Sequence, residues 1–253
     1  MCLGFMGLAG LLSRGCGRLG LFWGPRGLVV VSAGDVYVVG TPTDIKLPFG
    51  TYVHDPELRR RELIDMGISL VVLSLGFSIA MAGRGIVGGI RWDLVVAYLP
   101  LTAFVLFFAF IGHELAHRQV ARRLGYIAMY QADYTLLPLA VIFPLLFGFV
   151  FAAPGAVVIW PFRLHGHGDE RRDVFLISAA GPLTNIAFAV AGAAFMMAFR
   201  SEIWWFFAYI NAWLALFNLL PIPSLDGSKM IRANPAMWLP IIAVAALLVL
   251  WLW

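Results

Sequence analysis

The stretch Phe107-Phe-Ala-Phe-Ile-Gly-His-Glu-Leu-Ala-His-Arg118 contains a His-Glu-x-x-His motif at the end of an apolar run. On a helix, His113 and His117 lie four residues apart, so both imidazoles project from one face and can bind one metal ion. Glu114 lies beside them, where it can act as a base towards water. These residue types at this spacing indicate a zinc hydrolase.

The apolar run before the motif places this chemistry in a membrane. Leu94 to Ile111 has the length and composition of a membrane-spanning helix. Of the 253 residues, 61% are hydrophobic and 13% are charged, and the mean hydropathy is +0.87. Soluble domains are roughly 45–50% apolar, so the composition predicts a polytopic membrane protein. In such a protein the net charge of +4 reflects basic loops, and nucleic acid is not expected as a partner.

The rest of the chain predicts an all-α membrane domain after a small extension. Residues 1–55 are interpreted as an N-terminal extension of unassigned function, in which Gly27 to Gly40 alternates like a β-hairpin. Residues 56–253 form the membrane domain, with its core at about 94–238. Membrane helices are predicted at 64–82, 94–124, 174–199, 203–220 and 236–253.

One segment fits either of two structures. Tyr134 to Trp160 is long enough for one crossing, but it contains Pro138, Pro144 and Pro154. Such proline spacing also suits a re-entrant or β-like element. The predicted fold therefore has about five to six transmembrane segments, according to whether this segment crosses or re-enters.

A catalytic zinc ion usually takes three protein ligands, so one more is expected. The candidates are Asp133, Asp173 and Asp226, which are acidic residues near membrane segments. Asp226 is the best of the three, because it follows a proline-containing turn and precedes a glycine.

The distribution of basic residues predicts the orientation. If residues 134–160 re-enter without crossing, eleven basic residues face the cytoplasm and three face outwards. His113 and His117 then lie near the cytoplasmic face, and Asp226 reaches the same depth. The prediction is a multi-pass protein of the cell membrane with its active site near the cytoplasmic side.

Three motifs together resemble the site-2 protease family of intramembrane metalloproteases, peptidase family M50. They are His113-Glu-Leu-Ala-His117, Gly181-Pro-Leu-Thr-Asn185 and Asn218-Leu-Leu-Pro-Ile-Pro-Ser-Leu-Asp-Gly227, in that order. The absence of a recognisable PDZ or CBS module makes the chain similar to small archaeal members. Alanine at position 116 replaces the glycine common in the family, and both residues are small enough for close helix packing.

The resemblance implies an intramembrane zinc metalloendopeptidase with a three-helix core. One Zn²⁺ per chain would be bound by His113, His117 and Asp226, and Glu114 would be the catalytic base. Asn185 would contact the substrate or the oxyanion. The substrate-binding residues predicted with it are Asn218, Pro221 and Gly155, the last because residues 155–159 could pair with an unwound substrate strand. The expected partners are the lipid bilayer and a membrane protein with a transmembrane helix, and the oligomeric state stays open.

Two alternatives belong to other functional classes. A catalytically inactive member would act as a membrane scaffold, although inactivity usually follows the loss of a catalytic residue or ligand and none is lost here. A metal-ion transporter would use the same three ligands as a transit site, but it would be expected to have acidic residues leading to both faces.

Overall fold

The computed structural model describes residues 20–24, 27–32, 35–39, 45–48, 56–83, 85–150, 154–163 and 169–253. The chain divides into two compact units, Met1–Arg61 and Glu62–Trp253. The first unit contains a small β-sheet, and the second contains the His-Glu-x-x-His motif.

The described strands of the first unit form a four-stranded antiparallel sheet in the order β1-β2-β3-β4. Strands β2 and β3 pair from Leu28 opposite Val39 to Ser32 opposite Asp35, which is the hairpin predicted for this region. The sheet adds a strand on each side of that hairpin. The four strands are β1 (Gly20–Gly24), β2 (Gly27–Ser32), β3 (Asp35–Val39) and β4 (Ile45–Pro48).

The second unit is mostly helical. Four of the described helical stretches are long and apolar enough to cross a membrane by length and composition, and this confirms an all-α polytopic membrane fold. They are Arg59–Ala82, Trp92–Arg123, Glu170–Phe199 and Pro235–Leu252. A further helix, Glu202–Leu219, contains Asn211 and Asn218 and is not among these four, so its crossing stays a prediction.

The first described helix of the chain is α1 (Pro56–Ala82), and the short helix α2 (Gly85–Gly88) follows it. The motif helix then runs without a break through three parts. They are α3 (Trp92–Leu106), a π-helical turn (Phe107–Gly112) and α4 (His113–Arg123). A π-turn carries one extra residue, so it rotates the face that follows it, and such turns are frequent at functional sites.

The proline-containing segment Tyr134 to Trp160, for which the sequence allowed either a crossing or a re-entrant element, does not form a spanning helix. After β5 (Tyr126–Ala132), α5 (Leu139–Phe147) has nine residues, or about 14 Å, which is under half of a hydrocarbon core. It is followed by β6 (Gly155–Arg163), which pairs antiparallel with β5. The predicted β-like element is therefore present as a two-stranded ribbon.

The remaining helices bring the end of the chain back to the motif. They are α6 (Glu170–Phe199), α7 (Glu202–Leu219), α8 (Asp226–Ala233) and α9 (Pro235–Leu252). Small residues let these helices approach closely, as membrane helices require. Buried Ala189 and Ala193 of α6 pack with Ala208 and Ala212 of α7.

Candidate metal centre

Three side chains from two distant parts of the chain converge on one point. Nε2 of His113 lies 2.9 Å from Nε2 of His117. Oδ2 of Asp226 lies 3.0 Å from the His117 nitrogen and 3.4 Å from the His113 nitrogen. A tetrahedral zinc ion with bonds of about 2.0–2.2 Å separates its ligand atoms by about 3.3 Å. The three atoms therefore have the spacing that a zinc ion requires.

Neighbouring groups prepare these ligands for a cation. Nδ1 of His117 donates to the carbonyl of Ile177 at 2.6 Å, so the lone pair is on Nε2, where it faces the other ligands. Burial disfavours the charged form of Asp226, but when His117 and His113 are protonated their positive charge outweighs burial and holds the pKa of the Asp226 carboxyl well below its usual range. Its Oδ1 accepts from Nζ of Lys229 at 3.1 Å, which leaves Oδ2 turned towards the histidines. Two imidazoles and one carboxylate form a donor set that fits Zn²⁺.

Gly181 keeps the space in front of the histidines clear. A Cβ atom at this position would lie 2.3 Å from Nε2 of His117 and 2.5 Å from Nε2 of His113. Only hydrogen at this position allows α6 to pass so close to both nitrogens. Gly181 was part of the second sequence motif, Gly181 to Asn185. Only the packing of α6 against α4 shows why this position must be glycine.

The turn between α7 and α8 places Asp226, the third candidate ligand. Asp226 is the first residue of α8, and a Cβ at the next position, Gly227, would lie 2.0 Å from the carbonyl oxygen of Leu219. The turn contains Ser224 in the left-handed region, with φ of 74°. Trp238 of α9 donates from Nε1 to the same Leu219 carbonyl at 2.9 Å. The backbone must therefore double back tightly at the end of α7, and this brings Asp226 to the histidines.

Glu114 lies against the β-ribbon. One of its oxygens, Oε2, accepts from the backbone N–H of Val157 in β6 at 3.2 Å. Glu114 directly follows His113 on α4, and this hydrogen bond fixes the orientation of its carboxylate. The sequence could not predict this backbone partner on β6, because every residue except proline supplies an N–H.

Asn185 contacts the π-turn instead of the three ligands. It is fully buried, and its Nδ2 donates to the carbonyl of Ala109 at 3.1 Å. That carbonyl belongs to the turn that precedes His113. Oδ1 of Asn185 is buried without a hydrogen-bond partner in the described part of the chain.

The other two aspartates proposed as ligands have different partners. Asp133 accepts from the backbone N–H groups of the turn that follows it, at 3.0 and 3.2 Å. Asp173 is buried at the start of α6, where Oδ2 accepts from the hydroxyl of Tyr126 at 2.9 Å. Among the described residues, the one group that could hold a metal ion is the set that includes Asp226.

The predicted substrate-binding residues lie in three different settings. Asn218 is half-buried, and its amide donates to the carbonyl of Leu214 one turn earlier in α7. Pro221 is exposed in the following turn. Gly155 begins β6, and a Cβ there would lie 2.3 Å from the carbonyl oxygen of Gln131. Close pairing of the two strands is therefore sufficient reason for a glycine at position 155.

The chain was compared with known proteins. A family model described as Peptidase family M50 matches residues 194–240, which include Asp226. The Methanocaldococcus jannaschii protein named "Putative zinc metalloprotease MJ0611" is 36% identical over 201 residues, covering 76% of this chain and 96% of that protein. No solved structure matches the chain.

Two bacterial proteins are similar over shorter stretches. The Mycobacterium tuberculosis protein named "Putative zinc metalloprotease Rip3" is 31% identical over 179 residues, which are 65% of this chain and 38% of that protein. The Bacillus subtilis protein named "Putative zinc metalloprotease YwhC" is 31% identical over 158 residues, which are 54% of this chain and 70% of that protein. With a His-Glu-x-x-His helix, a converging carboxylate and a relative similar over almost its whole length, the chain belongs to peptidase family M50 and is a metalloprotease of the membrane.

Proposed function

We propose that this protein is an intramembrane zinc metalloendopeptidase that hydrolyses peptide bonds within or near the transmembrane segments of other membrane proteins. One observation carries the proposal. The three metal-binding atoms lie within 3.4 Å of one another, and two of them belong to a helical stretch, Trp92–Arg123, that is long and apolar enough to cross a membrane. Ionisable groups in such a helix are costly and mark functional sites.

The metal would be one Zn²⁺ per chain, held by His113, His117 and Asp226. When bound, zinc acidifies water to a pKa of about 7 and polarises a carbonyl group as a Lewis acid. Three protein ligands leave one position for water or substrate, as in other catalytic zinc sites.

Glu114 would be the general base and then the general acid. It would take a proton from the attacking water and give it to the leaving amine. The backbone N–H of Val157 supports this role, because its 3.2 Å hydrogen bond orients one carboxylate oxygen and leaves the other available for the proton.

Asn185 would stabilise the developing oxyanion. Its Nδ2 carries two hydrogens, and the bond to Ala109 uses one of them. The second would be the donor to the oxyanion, an interaction worth about 3 kcal/mol in the transition state. The Ala109 bond supports the role by holding the amide in one orientation.

The substrate would be a transmembrane helix that unwinds locally. A helix makes all its backbone hydrogen bonds internally, so a peptide bond must leave the helix before it can be attacked. The unwound segment would pair with β6 near Gly155, next to the strand position that contacts Glu114. Asn218 and Pro221, at the end of α7, would contact the segment from the side that carries Asp226.

The protein would be a multi-pass protein of the cell membrane with its site near the cytoplasmic side. Arg118, Arg122 and Arg123 follow the histidines directly, and Lys229 and Arg232 follow Asp226. Basic residues collect on the cytoplasmic side of membrane helices, so this end of both helices would lie there. Water would then reach the site from the cytoplasm.

The test is a cleavage assay with purified protein in detergent and a panel of single-helix membrane substrates. Glu114→Gln removes the base and keeps both histidines, so zinc content should stay at the wild-type level while cleavage is lost. Glu202→Gln is the matched control, because Glu202 is an exposed carboxylate in the first turn of α7.

Cleavage by wild type and Glu202→Gln, blocked by a zinc chelator and absent in Glu114→Gln, is the expected result. Equal cleavage by Glu114→Gln would refute the assigned base and indicate a contaminating protease. Zinc retained through dialysis without cleavage of any substrate would favour a scaffold. Zinc flux into liposomes would favour a transporter.

A further inference from the structure

On the edge of β5 that faces away from β6, side chains of two helices bind the backbone N–H and C=O groups. Residues 128, 130 and 132 point their backbone groups away from β6. The N–H of Tyr130 donates to Oε1 of Glu62 at 2.9 Å, and the N–H of Ala132 donates to Oδ2 of Asp65 at 3.1 Å. The carbonyl of Ala128 accepts from Nε of Arg122 at 2.9 Å. An edge strand normally leaves these groups open to another strand, but here two helices bind them.

Glu62 also binds α4, the helix that carries His113 and His117 and is called the metal helix from here on. Its Oε2 lies 2.6 Å from Nη1 of Arg118 and 3.7 Å from Nη2 of Arg122. Arg118 directly follows the metal ligand His117 in α4. Glu62 is only 3% exposed, and a buried charge of this kind persists only when it is paired and hydrogen-bonded. One carboxylate therefore connects α1, α4 and β5.

The opposite edge of the ribbon also contacts α4. Val157 of β6 lies opposite Tyr130 in the ladder. The N–H of Tyr130 is bound by Glu62 on one edge, and the N–H of Val157 is bound by Glu114 on the other. The ribbon is thus held to the metal helix from both sides, directly through Glu114 and indirectly through Glu62 and its two arginines.

We propose that Glu62 is a positioning residue of the active centre: its carboxylate holds the β5–β6 ribbon against the metal helix and so places the Val157 N–H at Glu114. This proposal rests on the proposed protease function for its kinetic consequence only, since the contacts themselves do not depend on a substrate.

The main variant is Glu62→Gln, in which a neutral amide replaces the carboxylate that pairs with Arg118. Hydrogen exchange of the full-length protein in detergent, read at Tyr130 and Val157, should become about tenfold faster, because the bond from Tyr130 to a carboxylate becomes a weaker bond to a neutral amide and the ion pair to Arg118 is lost. The zinc content should be unchanged. With the single-helix substrate panel, kcat should fall about 10- to 100-fold, as expected when a catalytic group is displaced by about 1 Å.

Two further variants keep the test decisive. Arg118→Met breaks the same link from the side of α4, and combining it with Glu62→Gln should add little to either single change. Glu202→Gln changes an exposed carboxylate that makes none of the ribbon contacts described above, so it should leave exchange and kcat at wild-type values.

Unchanged exchange at Tyr130 and Val157 in both Glu62→Gln and Arg118→Met would overturn the proposal, whatever the cleavage result. Loss of zinc together with activity would also overturn it, because Glu62 would then act on the fold or the metal site as a whole. If the wild-type protein cleaves none of the panel, the protease function fails, and the exchange measurement alone still decides the role of Glu62.

Discussion

Replacing Gly181 with alanine should weaken zinc binding while the helical fold remains. The added methyl group would lie 2.3 Å from Nε2 of His117 and 2.5 Å from Nε2 of His113. Non-bonded heavy atoms approach to about 3.5 Å, so α6 would have to retreat by about 1 Å or the imidazoles would have to turn away.

A retreat of α6 has a second cost, because the same helix carries the carbonyl of Ile177. Its 2.6 Å hydrogen bond from Nδ1 of His117 would lengthen to about 3.6 Å, which is no longer a hydrogen bond. Loss of such a partner of a metal-binding histidine typically lowers metal affinity about 10- to 100-fold. We expect at least this decrease, together with about 1–3 kcal/mol of lost stability from overpacking.

The assay is competition for zinc between the purified protein and a chromogenic chelator, combined with thermal unfolding. Gly67→Ala is the matched control, because Gly67 is exposed in α1 and a Cβ there has no neighbour within 4 Å. Wild-type zinc affinity in Gly181→Ala would refute the reasoning. Equal losses in both variants would show that any added methyl group in a membrane helix has this effect.

Three further predictions test other contacts of the site and the helix packing. Gly227→Ala should lose zinc, because its Cβ would lie 2.0 Å from a backbone oxygen that cannot move alone, and metal analysis of the purified variant checks this. Asn185→Ala should lower kcat about 10²- to 10³-fold at unchanged zinc content if its amide binds the oxyanion. A parallel loss of zinc would instead assign Asn185 to the support of the Ala109 carbonyl in the π-turn. Thr102→Val should destabilise the packing of α3 against α1 by about 0.6–1.7 kcal/mol in detergent unfolding, because it removes the 2.8 Å bond to a serine hydroxyl, and an unchanged unfolding midpoint would contradict this.

The metal helix could be predicted because its signals are local. The i, i+4 spacing of His113 and His117 fixes their common face on any α-helix, and hydropathy identifies the apolar run before them. The turn at Phe107–Gly112 was not predicted, since a π-turn has the same composition as the α-helix around it. It nevertheless sets the rotation of the face that carries both histidines.

The sequence narrowed the choice of the third candidate ligand to three aspartates, and only the structure shows which of them lies beside the histidines. Asp133, Asp173 and Asp226 were all compatible with a third carboxylate, and the turn chemistry favoured Asp226. The structure gives the first two other partners and brings only the third within 3.4 Å of both histidines. The tight turn at Gly227 and the packing of α6 and α9 together set the position of Asp226.

The sequence by itself determined the membrane character of the chain, the helix that carries Glu114 and two candidate metal ligands, and the family to which the chain belongs. These depend on composition, periodicity and motif, which are properties of contiguous residues. The tertiary structure decided which backbone N–H orients Glu114, why Gly181 must lack a side chain, and how Glu62 joins the ribbon to the metal helix. Those contacts join residues far apart in the chain, so they depend on how helices and strands pack.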